Sequence, residues 1–410
     1  MSQFFQKEGV CFCPLGGRLP AGAVPAARPF DPLVCLVDRD PARSRGIFAI
    51  HDIAELDEPE GPRVLLPAGQ GAGEAAALVR NAGACVLNTA FARCFDVLRA
   101  YWSPHPKGLR VNLVGLGDVG GTVLTGLVLL GEHITEIGIY DFYEPLCRRY
   151  ELELNQVLSA VDGRTPPRVV IRDPQDLFDC DVVLFTAAKG VPPVGSGVQD
   201  VRMAQYEANR ALLAPYARQA RAAGFAGLFC QISDPVDHLS RAFFLESSKN
   251  AAGELDFAGL LPEQIQGYGL GVMEARARYY ARKRGADFTR GAVFGPHGQD
   301  LVVANDWGEG YDEALSSALT EDTVTANLAV RELGFKPYIA PGLSSAAVSV
   351  VRTLTGRWHD GAVPVGGAYL GCQSRMTMLG PEILRRPLHP ALYARVQAAH
   401  RKLEDFGYGS

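Results

Sequence analysis

Short apolar runs alternate along the chain with longer stretches in which apolar residues recur at helical spacing, from residue 33 onward. This alternation is typical of an α/β protein built on a largely parallel sheet. The predicted strands are 33–37, 64–66, 85–87, 110–115, 136–140, 168–171, 181–186, 227–232, 362–366 and 375–379. The predicted helices are 73–82, 91–102, 122–130, 201–223, 310–333, 342–354 and 389–406.

Composition narrows the class of protein. The 410 residues are 47% hydrophobic and 21% charged, as in a globular protein with two or three domains. The net charge of −5 provides no general attraction to nucleic acid or anionic lipid, so we expect neither as a partner. The N-terminal residues lack a basic region followed by a long apolar core, and no segment reaches about 18 apolar residues. We therefore expect a cytoplasmic protein.

The nine cysteines favour reduced thiols over a disulfide framework, because no secretion signal accompanies them. Cys11 and Cys13 form a Cys-x-Cys pair that could contact a metal ion. No second pair with zinc-like spacing follows it, so we predict no metal site.

The stretch GLGDVG, residues 115–120, lies between a predicted strand and a predicted helix. In a G-x-G-x-x-G turn the first glycine, Gly115, permits the tight turn, and Gly117 lets a pyrophosphate approach the backbone. Gly120 lets helix and strand pack closely. Free N–H groups at the helix N-terminus attract the phosphates, and Asp118 and Val119 belong to the same predicted cofactor site.

A carboxylate follows the next predicted strand. Asp141 comes about 26 residues after Gly115, where it can accept hydrogen bonds from an adenosine ribose and repel a 2′-phosphate. We therefore predict NAD rather than NADP as the cofactor. Thr186 and Ala187, at the end of the predicted strand 181–186, complete the predicted cofactor site.

The order of these motifs resembles that of the L-lactate/malate dehydrogenase family over about residues 109–410. The series is GxGxxG, Asp141, DVVLFTAA, a Gly- and Pro-rich loop, SDPVD and FGPHG. The resemblance implies a Rossmann-type parallel-sheet domain at 109–237 and an α+β substrate domain at 238–410. The polar linker Trp102–Gly108 separates them from a small α/β N-terminal domain, 1–108, of unknown role.

The resemblance assigns two residues to the substrate. FGPHGQD resembles the family's GEHGD stretch, which implies that His297 is the acid/base; the imidazole pKa of about 6.5 suits that task. GYGLGVMEARAR resembles the family's GSGTxLDSARFR helix and aligns Arg276 with the arginine that binds the substrate carboxylate. A guanidinium offers a planar, bidentate fork to a carboxylate.

The same helix departs from the family pattern at the residue that should support the histidine. Met273 stands where the family has an aspartate, and a thioether cannot orient or stabilise an imidazolium. Glu274 follows directly and could replace that aspartate if the helix rotates or bulges. The alternative is that His297 has no carboxylate partner.

A second departure lies in SDPVD, where Asp234 replaces an asparagine that binds the substrate oxygen. Three interpretations are open. Asp234 pairs with His297, or faces a substrate amine or imine, or caps the helix that begins near Pro235.

Residues 187–209 resemble the family's mobile loop, which closes over the substrate. Arg202 and Asn209 keep the family's spacing, which implies that Arg202 polarises the substrate oxygen. Asn209 and Lys189 are the other predicted substrate contacts.

The combined prediction is an NAD-dependent oxidoreductase that interconverts a small 2-hydroxy acid and its 2-oxo acid. A homo-oligomer is a further implication of the resemblance. Two alternatives are a relative that acts on an imine or a bulkier oxo acid, and a catalytically impaired NAD-binding sensor or scaffold.

Overall fold

The computed structural model describes residues 4–105, 107–158, 163–189 and 201–408, without the side chains of residues 201, 202 and 204. The strands are β1 (Phe4–Lys7), β2 (Val10–Leu15), β3 (Val24–Ala26), β4 (Leu33–Val37), β5 (Ile47–Ile50), β6 (Ala84–Asn88), β7 (Leu109–Val114), β8 (Ile134–Tyr140), β9 (Arg168–Ile171), β10 (Val182–Phe185), β11 (Leu228–Gln231), β12 (Ile265–Gly267), β13 (Ala292–Phe294), β14 (Val302–Ala304), β15 (His359–Val365), β16 (Ala368–Thr377) and β17 (Gly380–Ile383).

The helices are α1 (Glu74–Ala82), α2 (Cys94–Tyr101), α3 (Asp118–Leu130), α4 (Glu144–Leu154), α5 (Val201–Ala222), α6 (Val236–Ser247), α7 (Leu270–Lys283), α8 (Glu313–Glu332), α9 (Ser349–Leu354) and α10 (Pro390–Glu404). A π-helical segment, Pro341–Val348, runs directly into α9. Within the described ranges, no helix combines the length and apolar character that a membrane crossing requires.

The central sheet has the strand order β17-β16-β15-β12-β11-β10-β7-β8-β9. Its six strands from β9 to β12 are parallel, and β15 to β17 extend the sheet in antiparallel pairs. In chain order the parallel part reads 3-2-1-4-5-6, which is the strand order of the Rossmann fold. The predicted α/β fold class is confirmed. Because the order reverses between β7 and β10, a crevice for ligands opens at the carboxyl ends of these strands.

The first 105 residues, which we call the N-terminal module, contain a separate six-stranded sheet with the order β3-β1-β2-β4-β6-β5. Apolar side chains of this module share one hydrophobic core with the central sheet; Phe12 and Val34 belong to it together with Phe185 and Phe229. The predicted domain boundaries at residues 108 and 237 stay a prediction. Strand β12 lies beyond residue 237 and still pairs within the central sheet.

Several predicted elements were wrong or missed for identifiable reasons. Of residues 64–66, predicted as a strand, the first two lie in a 3₁₀ helix, Pro62–Leu65, whose first residue is a proline suited to a helix start. Strands β2 and β3 contain Pro14 and Pro25, and proline within a run argues against a strand. Strand β16 begins at Ala368, seven residues before the predicted start at residue 375.

Candidate functional site

Loops at the carboxyl edge of the central sheet bring three side chains together. Asp234 follows β11, Arg276 lies on α7 after β12, and His297 follows β13. The parallel strands β11 and β12 end at one edge of the central sheet, which places Asp234 and Arg276 there, whereas His297 reaches them from the separate β13–β14 hairpin. The structure therefore brings together three of the residues that the sequence selected.

Two carboxylates contact His297, one at its imidazole and one at its backbone. Its Nδ1 is 3.2 Å from Asp234 Oδ1, and its backbone N–H donates to Asp237 Oδ2 at 2.9 Å. Asp237 is 3% exposed, so this second carboxylate fixes the backbone of the loop. In the described part of the chain, His297 Nε2 has no hydrogen-bond partner, which leaves it for a ligand.

Electrostatics favour the protonated form of this imidazole. Burial alone lowers the pKa of His297, but the carboxylates of Asp234 and Asp237 raise it by more, and the Arg276 guanidinium opposes them. The net pKa is raised above the ordinary value. The imidazolium form of His297 is therefore stabilised relative to that of a free histidine, and its Nε2 can exchange a proton with a ligand.

A glycine sets the position of the ring. A Cβ atom at Gly269 would lie 2.6 Å from His297 Cγ and Nδ1, closer than real Cβ contacts. Gly269 is the N-cap of α7, so the start of that helix forms a flat surface against the imidazole. A larger side chain there would force the ring to move.

The guanidinium of Arg276 is held from two sides. Its Nη1 is 3.7 Å from Met273 Sδ, and its Nη2 donates to Asn327 Oδ1 on α8. Burial lowers the pKa of Arg276, although an arginine stays charged in proteins. The remaining N–H donors of the fork are available to a carboxylate.

The geometry also decides among the partners proposed for His297. Met273 is 3% exposed and packs in an apolar cluster beside α7. Glu274 accepts a hydrogen bond from Arg278 Nε at 2.9 Å, so this carboxylate lies against its own helix and not against the imidazole. Adjacent helix positions point about 100° apart, which is why Glu274 does not replace the missing aspartate.

Asp234 does not act as a helix cap. The N-cap of α6 is Pro235, and no side chain forms a cap hydrogen bond there. Since its carboxylate contacts His297, the first of the three interpretations agrees with the structure.

Asn209 is buried beneath the site, whereas the sequence predicted that it contacts the substrate. Its Oδ1 accepts from the Lys189 backbone N–H and its Nδ2 donates to the Asp234 carbonyl, both at 2.7 Å. It is 1% exposed, so it positions the Asp234 turn. Residues 190–200, the middle of the predicted mobile loop 187–209, and the side chain of Arg202 lie outside the described residues.

The glycine turn has the close contacts that a dinucleotide-binding loop requires. Gly115 adopts φ +96°, and a Cβ there would lie 2.6 Å from Ala187 N. A Cβ at Gly120 would lie 2.1 Å from the Gly115 carbonyl, whereas nothing lies within 4 Å of one at Gly117. Thr186 Oγ1 donates to the Gly115 carbonyl at 2.6 Å. The turn is therefore closed on its inner side and open where a pyrophosphate would approach.

Two carboxylates flank this turn. Asp118, the first residue of α3, forms an ion pair of 2.9 Å with Lys336, which offsets its repulsion of a phosphate. Asp141 accepts hydrogen bonds from the backbone N–H groups of Leu116 at 2.8 Å and Tyr143 at 3.0 Å.

The N-cap of α3 is Gly117, without a side-chain hydrogen bond. Because no side chain occupies this cap, the backbone N–H groups at the N-terminus of α3 can bind a dinucleotide phosphate. Val119, partly buried, packs against the core behind the turn.

Three contributors to the site were missed from the sequence: Asp237, Gly269 and Asn327. Asp237 and Gly269 lie in the stretches SDPVD and GYGLG that flank the selected residues, so proximity to them was an available signal. Asn327 lies 51 residues from Arg276 within a helix, and no local pattern marks it.

The strand order and the glycine turn are those of a Rossmann-type fold, and solved lactate and malate dehydrogenases share this fold. The minor L-lactate dehydrogenase from Enterococcus mundtii is similar to the chain, with a TM-score of 0.60 and 19% identity, over 73% of this chain and 97% of that one. Malate dehydrogenase from Archaeoglobus fulgidus, solved in complex with NADH, has a TM-score of 0.58 and 18% identity, over 72% of this chain and 97% of that one.

Sequence relatives agree with this fold. The malate dehydrogenase of Sulfurimonas denitrificans is 27% identical over 199 residues, 48% of this chain and 57% of the relative. An L-lactate dehydrogenase of Streptococcus pyogenes is 28% identical over 193 residues, 46% and 53% respectively. The chain thus spans little more than half the length of these curated relatives, and no protein-family model matches it. The resemblance seen in the sequence is confirmed: the chain is similar to lactate and malate dehydrogenases in fold and, over about half of its length, in sequence.

Proposed function

We propose that the protein is an NAD-dependent oxidoreductase that interconverts a 2-hydroxy acid and its 2-oxo acid. The observation that carries the proposal is the imidazole of His297, held by Asp234 at 3.2 Å with Nε2 free of partners among the described residues. Arg276 lies near enough to affect the pKa of His297. An acid/base and a carboxylate-binding fork at one crevice are what this reaction requires.

Each residue of the site has its own role in the proposed reaction. Arg276 binds the substrate carboxylate, and His297 donates a proton from Nε2 to the carbonyl oxygen during reduction or accepts it from the hydroxyl during oxidation. Asp234 stabilises the protonated ring between these events. Arg202, in the proposed closing loop, polarises the same oxygen.

The cofactor proposal rests on the glycine turn. Bound NAD(H) accepts or supplies the hydride. Gly115, Gly117 and Gly120 would hold its pyrophosphate at the N-terminus of α3, and the carboxylate of Asp141 would favour NAD over NADP. A homo-oligomer and a cytoplasmic location stay proposals that rest on the resemblance and the composition.

A bulkier oxo acid is the second candidate substrate, and a cavity beside Arg276 favours it. The cavity has a volume of about 720 Å³ and lies between α7, α8 and residues 335–341. Tyr279, Tyr280, Phe335 and Tyr338 line it together with the guanidinium. Space of this size with aromatic walls exceeds what a three- or four-carbon acid occupies.

The proposal is tested by NADH oxidation with a panel of small and aromatic 2-oxo acids, such as pyruvate, oxaloacetate and phenylpyruvate. We expect turnover with at least one of them, and its complete loss in His297→Asn while NADH affinity stays unchanged. NADH binding without turnover on any 2-oxo acid would contradict the proposal and favour the sensor or scaffold alternative. Turnover by His297→Asn would remove the acid/base assignment.

A further inference from the structure

A second cavity lies at the opposite edge of the central sheet from the candidate active site. It has a volume of about 400 Å³ and opens beside the amino ends of β7, β10 and β11. Helix α2 of the N-terminal module covers one side through Ala100 and Tyr101, and Met376 and Pro381 of the C-terminal strands cover another. The cavity therefore lies where the N-terminal module meets the rest of the chain.

Three helices end at this cavity. Residues 100 and 101 are the last of α2, residues 353 and 354 are the last of α9, and residues 223–225 directly follow α5. The C-terminus of a helix carries a partial negative charge because its last carbonyl groups lack helical partners. The end of α5 is already bound by a cation, because Arg93 Nη2 donates to the Gly224 carbonyl at 2.5 Å, so the ends of α2 and α9 contribute the partial negative charge at the cavity.

Carboxylates add to this negative charge. Glu263, 3% exposed, lines the cavity and accepts hydrogen bonds of 2.9–3.1 Å from the backbone N–H groups of Gly46 and Ile47. Asp179 and Asp181 also line it; Arg110 forms an ion pair of 3.0 Å with Asp179, and the His105 ring lies 3.4 Å from Asp181. Burial raises the pKa of Glu263 to about 7, so its carboxyl group is an anion above that pH. The cavity lining then holds three carboxylates, Asp179, Asp181 and Glu263, and one arginine, Arg110.

The remaining walls are apolar and aromatic. Phe178 and Phe225 line the cavity and contact each other edge to face, with ring centroids 5.3 Å apart. Aromatic faces attract cations as well as apolar groups. Since the volume falls in the range of small-molecule sites, the cavity suits a compact ligand with an apolar body.

We propose that this cavity binds a small organic cation, an aryl- or alkylammonium whose charged end lies towards Glu263 and whose body packs against Phe178 and Phe225. Such a ligand would contact the N-terminal module, the central sheet and the C-terminal strands at once. Its binding would stabilise their association, because a ligand that binds only the folded protein raises its stability. The site is independent of the proposed oxidoreductase activity.

Isothermal titration calorimetry of the full chain with benzylamine tests the proposal, with benzoate and benzyl alcohol as probes of equal size and different charge. We expect one site for benzylamine, at least tenfold weaker binding of benzyl alcohol and none of benzoate. Absence of benzylamine binding at millimolar concentration, or benzoate binding as tightly, overturns the proposal.

Two variants locate the site. Ala100→Phe fills the cavity without removing a polar contact, and we expect it to abolish benzylamine binding; Ala77→Phe, on the exposed face of α1, should bind like the unaltered protein. Glu263→Gln, if its melting temperature shows that it folds, should bind benzylamine and benzyl alcohol equally. Unchanged binding by Ala100→Phe, or an unchanged preference for the amine in folded Glu263→Gln, overturns the assignment of the cavity.

Discussion

At the scale of single residues, two changes at the candidate site offset each other. Met273 removes the carboxylate that the family resemblance would place on α7, and Asp234 supplies one from the turn after β11, at 3.2 Å from His297 Nδ1. An imidazolium needs one carboxylate nearby, and the direction from which it comes matters less than its charge and distance. The proposed acid/base pair of His297 and Asp234 can therefore exist although neither Met273 nor Asp234 matches the family pattern.

Restoring the family's aspartate should not help this protein. Met273→Asp would place a carboxylate in the apolar cluster beside α7, where Met273 is 3% exposed. We expect no gain in kcat and a loss of unfolding free energy of about 3 kcal/mol, because a buried charge without a partner is costly. Steady-state kinetics and urea unfolding measure the two effects. Met273→Leu is the control, and it should keep kcat and the free energy of unfolding near their original values. A higher kcat in Met273→Asp would show that His297 lacks an effective partner.

The carboxylate-binding role of Arg276 has a matched control on the same helix. Arg276→Lys should lower kcat/KM on a 2-oxo acid by about 30- to 1,000-fold, because a point charge does not reproduce a bidentate fork. NADH affinity should not change. Arg278→Lys, two residues further along α7 at an exposed position, should change kcat/KM by less than about threefold. Equal effects of the two substitutions would contradict the assignment.

At the scale of elements, the buried parallel strands were the part of the fold that the sequence predicted best. Strands such as Leu33–Val37 and Val182–Phe185 are apolar at every position because both faces are buried, and their boundaries match the prediction closely. Three-residue strands such as β12 and β13 carry no periodicity, so nothing in the sequence marked them.

The candidate site was predictable in its residues but not in its contacts. The motifs selected His297, Arg276 and Asp234, and the sequence posed the Asp234–His297 pair as one of several arrangements. The two residues are 63 positions apart, so only the arrangement of their loops could decide. Asn327 was missed because its contact with Arg276 depends on how α8 packs against α7.

The close contact between Gly269, at the start of α7, and the His297 ring predicts that a small substitution there lowers turnover. Gly269→Ala places a Cβ 2.6 Å from the His297 ring, so the imidazole must move away from the substrate position. We expect turnover to fall by about 100-fold, since small displacements of reacting groups have effects of that size, while NADH affinity is kept. Gly69→Ala is the control, because nothing lies within 4 Å of a Cβ there. Full turnover in Gly269→Ala would exclude this role of the helix start.

At the scale of the whole molecule, the N-terminal module is an integral part of the structure. It shares a hydrophobic core with the central sheet, and the N–H groups of Gly46 and Ile47 donate to the buried carboxylate of Glu263. Arg385, after β17, forms ion pairs with Glu55 at 2.9 Å and Glu58 at 2.6 Å. These contacts predict that the module and the central sheet unfold together.

Two arginines, Arg385 and Arg43, form ion pairs between the module and the C-terminal part, and their substitutions can be compared. Arg385→Ala leaves two nearly buried glutamates without this partner, and we expect a loss of about 3 kcal/mol in unfolding free energy. Arg43→Ala removes a pair with Glu404 in which the arginine side chain is 67% exposed, and the loss should stay below about 1 kcal/mol. Urea unfolding measures both values. Equal losses, or a separate transition of the module in the unaltered protein, would contradict a single cooperative unit.

The central claim is that Asp234 supports His297 as the acid/base of the site, and the titration of the His297 ring tests it most directly. NMR of the ¹³C-labelled imidazoles follows that titration, and His297→Asn assigns its signal among the eight histidines. Asp234→Asn keeps an oxygen near Nδ1 but removes the charge. We predict a pKa of His297 above the ordinary value in the unaltered protein and a clear fall in Asp234→Asn, with the high-pH limb of the reduction rate moving to lower pH in parallel. An unchanged pKa of His297 in Asp234→Asn would contradict the claim.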